Sequence, residues 1–99
     1  MNYDEFIITL QDSHPPEVST YLEALWYDKK NNWGRSHAIV QEIHDPDGSW
    51  IHGYLHRVEG DEWNARYWYS KANRKMSESS LEEEWESLVR HFLNKYDRE

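Results

Sequence analysis

The sequence predicts an all-α protein, and three observations predict it. Apolar residues recur at helical spacing along almost the whole 99-residue chain, no alternating run of β-branched residues is bounded by hairpin turns, and capping residues precede the strongest apolar stripes. About six helices are expected, as two stacked antiparallel helical hairpins over 16–43 and 50–73. A helix at each end caps them, the C-terminal one over 80–97. A chain of this length supports one domain, 1–99.

The first helix is predicted over Tyr3 to Gln11, with Asn2 as N-cap, Glu5 completing a capping box, and Tyr3, Phe6, Ile7 and Leu10 on one face. His14-Pro15-Pro16 ends it. Pro16 suits the first position of a second helix reaching Lys29, with Val18, Tyr21, Leu22, Leu25 and Trp26 on one stripe. After a turn through Asn31 and Asn32, a third helix runs from Trp33 to Ile43 and directs Ser36, Ile39, Val40 and Ile43 inward. Asp45-Pro46-Asp47-Gly48 has the composition of a tight turn. It lacks the further oxygen ligands and closing Glu of a calcium loop. Ser49 then caps a fourth helix, Trp50 to Glu59, which buries Ile51, Tyr54, Leu55 and Val58.

Gly60 stands where a left-handed helix-ending residue is favoured, and Asp61 caps a fifth helix, Glu62 to Asn73. Its Ala65, Trp68, Tyr69 and Ala72 take one side and Trp63 and Tyr67 another, as in a helix sandwiched between neighbours. Arg74 to Ser80 is polar. Ser80 and Glu83 form a capping box before the last helix, Leu81 to Tyr96, in which Leu81, Trp85, Leu88, Val89, Phe92, Leu93 and Tyr96 share one face. Glu82, Glu83, Glu86, Arg90 and Asn94 form its wet side.

Only 37% of residues are hydrophobic, so six Trp, seven Tyr and two Phe must supply the core. The net charge of -8, with no basic block, disfavours nucleic acid and anionic membranes as partners. The absence of Cys excludes disulfides, thiolate zinc sites and thiol nucleophiles. No apolar run approaches the ~20 residues of a membrane span, and Asp4 and Glu5 stand where a secretory signal needs basic residues. A cytoplasmic protein is expected.

An offset of 30 positions lays Leu25 on Leu55 and Trp33 on Trp63 at matching places of a helix-turn-helix. The segment Gly53-Tyr54-Leu55-His56-Arg57, with Glu59-Gly60-Asp61 and Asn64-Ala65-Arg66-Tyr67-Trp68-Tyr69-Ser70-Lys71-Ala72, resembles the second half of a Sel1-type tetratricopeptide-like repeat. More closely, Leu25-Trp26-Tyr27-Asp28, Trp33, His37, Gln41, Trp50 and His52, with the same Leu-His-Arg, Glu-Gly-Asp and Tyr-Trp-Tyr stretches, resemble a family of small uncharacterised bacterial and fungal proteins. That likeness covers roughly residues 21 to 74. The family carries no established activity to transfer; the repeat resemblance implies hairpin stacking and, by analogy, partner binding. The first hairpin departs from the repeat, offering His37-Ala38-Ile39 where the second has its Trp-Tyr pair.

Two functional readings follow. The first is a small interaction module that binds another protein or self-associates as a homo-oligomer, with no recognisable catalytic constellation and no cofactor expected. The second is a small-ligand or acid-base cleft built from His37, His56, Glu59, Asn64, Tyr67 and Trp68, polar groups and flat rings on adjoining helices. No resident metal is expected, but the candidate ligands are His52 and His56, one helical turn apart, with His37 from the preceding helix as a third nitrogen. The alternative for these imidazoles is a hydrogen-bonded packing role. Arg57, Arg66, Lys71 and Arg74 form the only local basic excess, either a solvated surface or a site for an acidic segment or small anion.

Overall fold

A computed structural model describes residues 1–97. It contains six α-helices, α1 (Tyr3–Ile8), α2 (Thr20–Lys29), α3 (Trp33–Gln41), α4 (Pro46–Val58), α5 (Glu62–Lys71) and α6 (Leu81–Tyr96), with a 3-10 turn over Thr9–Gln11. The protein is all-α, with no strand among the described residues.

Local chemistry sets the helix ends. Asn2 and Glu5 close one capping box and Ser80 and Glu83 another, so both expected boxes form. Asn31 (φ 63°) and Gly60 (φ 82°) make the left-handed turns that end α2 and α4. Two starts differ from expectation. Ser19, not the Pro16 region, caps α2, its hydroxyl accepting the Leu22 N–H at 3.4 Å. The Asp45-Pro46-Asp47-Gly48 stretch is the first turn of α4 rather than a separate turn. Asp45 accepts the Gly48 N–H at 2.7 Å, and Pro46 fills the first helical position, where a missing N–H has no cost. Ser49 is therefore a buried residue inside α4, not its cap.

Helix α4 is the centre of the molecule. It packs against α2, α3, α5 and α6, and every residue from Gly48 to His56 is buried. Helices α2 and α3 pair, as do α4 and α5, while α6 lies on α2 and α4 with α1 against it. The core is one cluster running from Phe6 to Leu93, in which Trp26, Trp85, Tyr69, Phe6 and Phe92 are fully enclosed. Each deep indole N–H finds an acceptor: Trp26 donates to the Thr9 carbonyl at 3.3 Å and Trp85 to the Leu25 carbonyl at 3.0 Å.

Helix α5 is not sandwiched. Ala65, Tyr69 and Ala72 pack on α4, but Trp63 is 78% exposed and Tyr67 49% exposed, because α5 makes its substantial helix contacts with α4 alone. Close approach on the inner side depends on Gly53. A Cβ there would stand 3.0 Å from the Tyr69 ring.

That approach carries the Tyr69 hydroxyl to Glu84, a residue of α6 that periodicity did not mark as inward. Glu84 is 3% exposed and accepts from Tyr69 at 2.6 and 2.7 Å, from Trp50 Nε1 at 3.2 Å and from Arg57 at 2.7 Å. Arg57 also donates to the Ser79 carbonyl. One carboxylate thus joins α4, α5 and α6. Glu84→Ala strands a guanidinium and two donors, so a loss of about 3–5 kcal/mol is expected in urea unfolding. Glu82→Ala, at an exposed position of the same turn, should cost at most about 1 kcal/mol.

Candidate metal centre

The fold gathers three imidazoles where α3, α4 and α5 meet. His52 and His56 are one turn apart on the face of α4 that meets α3, and His37 reaches them from the middle of α3. His52 and His56 are 6% and 9% exposed, and His37 is half-buried. One ring nitrogen from each lies within 4.8 Å of the others. The Nε2 atoms of His37 and His52 are 3.0 Å apart, so one ring donates a hydrogen bond to the other. Nitrogens at about 2.0–2.1 Å from a tetrahedral ion stand about 3.3 Å from each other, so the His37–His52 pair at 3.0 Å is already near that spacing.

Two indoles and a carboxylate hold the rings in place. Trp68 stacks on His52 with centroids 3.8 Å apart, and Trp33 stacks on His37 at 4.6 Å. Trp33 is itself fixed by its N–H, which donates to the Leu55 carbonyl of α4 at 2.7 Å. His56 Nδ1 donates to Glu59 at 2.6 Å, which leaves Nε2 as the ring nitrogen not engaged by that carboxylate. A carboxylate on the outer nitrogen of a metal-binding histidine is the usual way its tautomer and orientation are fixed.

Electrostatics favour neutral rings. Burial, followed by the neighbouring His37 and His56, lowers His52 to about 4. Burial also lowers His37, helped by His56 and opposed by Glu59. Two of the three imidazoles therefore present lone pairs rather than charges at neutral pH.

Of the six residues expected to form a cleft, His37, His56, Glu59 and Trp68 come together. Asn64 and Tyr67 do not. Asn64 belongs to the α5 cap, its backbone N–H and Nδ2 both donating to Asp61 at 3.2 and 2.6 Å. Tyr67 sits on the outer side of α5, edge-on to Trp68. His52, set apart in sequence as a metal candidate only, lies at the middle of the cluster, and Trp33, read simply as core, is one of its walls. The spacing of Trp33 and His37, four residues apart on one helix, was the available signal for that stack.

Beside His52 is a cleft of about 150 Å³ lined by Val40, Gln41, Ile43, His44, Ser49, His52, Trp68 and Lys71. No helix among the described residues is long and apolar enough to cross a membrane. Comparison with protein-family models, curated proteins and solved structures finds no match for the chain.

The protein should lose stability on mild acidification. His52 has a folded-state value of about 4 against about 6.5 when unfolded. Between these, the unfolded chain binds more protons, so stability is full above about pH 6.5 and declines toward pH 4. Melting temperatures between pH 6.5 and 5, above most carboxylate titrations, should fall for the unmodified chain and fall less steeply for His52→Gln. Equal slopes would remove His52 as the cause.

Proposed function

We propose that this helical domain binds a divalent transition-metal ion through His37, His52 and His56, with Glu59 orienting His56. The observation that carries the reading is the convergence of three nitrogens from two helices within 4.8 Å, two of their rings held neutral by burial. Three imidazoles without a thiolate suit zinc, copper, nickel or ferrous iron, and a three-histidine set with an open fourth position is characteristic of zinc. An ion would replace the hydrogen bond between His37 and His52, its donor ring shifting its proton to Nδ1. The enclosure by Trp33 and Trp68 limits the motion that ligation has to arrest.

The expectation of an interaction module keeps one supporting observation, the exposed rings of Trp63 and Tyr67, four residues apart on α5. It ranks second because two neighbouring exposed rings are no more than ordinary monomers carry on their surface.

Isothermal titration of chelator-treated protein with Zn²⁺ tests the metal reading. One equivalent should bind and raise the melting temperature, as for any ligand selective for the native state. His37→Ala, His52→Ala and His56→Ala should each lose the bulk of the affinity. Glu59→Gln should weaken it about 10–100-fold, and His14→Ala, at an exposed position, should leave it unchanged. A melting temperature indifferent to zinc, cobalt and nickel overturns the proposal.

A further inference from the structure

The cleft beside His52 has a composition at odds with the rest of the chain. Nineteen of the 99 residues are acidic, yet none of its eight lining residues is Asp or Glu. It carries instead the Lys71 ammonium, the Ser49 hydroxyl and the His44 imidazole. His44 Nε2 donates to the Gln41 carbonyl at 3.0 Å. Lys71 has no carboxylate within ion-pair distance among the described residues; its ammonium lies 5.3 Å from the Trp68 ring centre and 5.5 Å from that of Tyr67. The other basic residues of this region are engaged: Arg57 with Glu84, Arg66 with Glu62, and Arg74 over the Trp50 ring. Of the two cations on α5, Arg66 pairs with Glu62, while Lys71, on the rim of the cleft, has aromatic rings but no carboxylate beside it among the described residues.

We propose that this cleft receives a small oxyanion, a carboxylate or phosphate group, with Lys71 as its countercharge and the metal at the histidine set as its second anchor. The inference rests on the metal reading above. Three protein nitrogens leave a tetrahedral ion one exchangeable position, and the cleft is walled by the ring of one of the three ligands. Its volume of about 150 Å³ admits a group of a few non-hydrogen atoms and is well below the ~300–1,000 Å³ of pockets that enclose drug-sized molecules. Ser49, 7% exposed on α4, supplies a hydroxyl donor at its wall. The Trp68 ring stacks on His52 and has the Lys71 ammonium 5.3 Å from its centre, so one indole borders both proposed anchors.

Cobalt(II) as the metal probe separates this inference from the one it rests on, because its visible absorption reports both uptake and exchange of a coordinated ligand. Chelator-treated protein is titrated with Co²⁺ and the loaded protein then with sodium acetate and, separately, with inorganic phosphate. Saturable changes in the absorption bands with either anion, weakened at least tenfold by Lys71→Ala at undiminished Co²⁺ affinity, are the expected result. Lys75→Ala, outside this cleft, should match the unmodified chain. Acetate active and phosphate inert selects carboxylates, and the reverse selects phosphates; both support the site. Absence of Co²⁺ uptake overturns the metal reading, and the anion's second anchor with it. Uptake with bands indifferent to both anions overturns the oxyanion inference alone, and a response unchanged in Lys71→Ala overturns the placement in this cleft.

Discussion

A helix with no side open to water must meet every polar group it carries from within the protein, and α4 is such a helix. Among its buried or half-buried polar side chains are His52, Tyr54, His56 and Arg57, and each has a partner within the protein. Helix α3 sends His37 to His52. Helix α2 sends Asp28, which accepts from Tyr54 at 2.9 Å and whose carboxyl is pushed above its ordinary value by burial. Helix α6 sends Glu84 to Arg57, and Glu59 at the end of α4 itself meets His56. The arrangement of helices around α4 is as much a set of hydrogen-bonding obligations as a packing of apolar faces.

The same constraint divides the obligations into two kinds. Around Glu84 one acceptor meets donors from three residues, and nothing is left over; such a network fixes geometry. Around His37 and His52 two neutral rings satisfy one another with a single hydrogen bond while a third imidazole stands beside them. That pair has one hydrogen bond between its rings, whereas the donors around Glu84 all converge on a single carboxylate. The chemical potential of the fold is concentrated where polar groups are enclosed and oriented but not used up.

Much of the scaffold was legible from periodicity and caps. The box of Ser80 and Glu83 and the stripe through Trp85, Leu88 and Phe92 located α6, and Gly60 located the end of α4. Pro46 misled because a proline after an aspartate suits a turn and a helix start equally, and only burial of the following Gly48 and Ser49 tells them apart. Periodicity also could not reveal Glu84, a carboxylate directly before an inward tryptophan, because its burial depends on Arg57 and Tyr69 from distant helices. Of the site, His37, His56, Glu59 and Trp68 were foreseeable from spacing on adjoining helices. Spacing put Tyr67 on the side of α5 opposite Trp68, but a helix apolar on two sides reads as sandwiched, and only the packing of Ala65 and Tyr69 on α4 shows that the Tyr67 side and the Asn64 cap lie outside the cluster.

Gly53 sits between the two regions. Its bare α-carbon sets how deeply α5 sinks onto α4, because the Tyr69 ring rests directly on it. Trp68, the preceding residue on α5, rides with Tyr69, so the depth of that seat also fixes the separation of the indole from the His52 imidazole. A single missing methyl group acts as a spacer of zero thickness. Anything thicker at this position would lift the aromatic wall off the histidines from behind, altering the centre without touching any of its members.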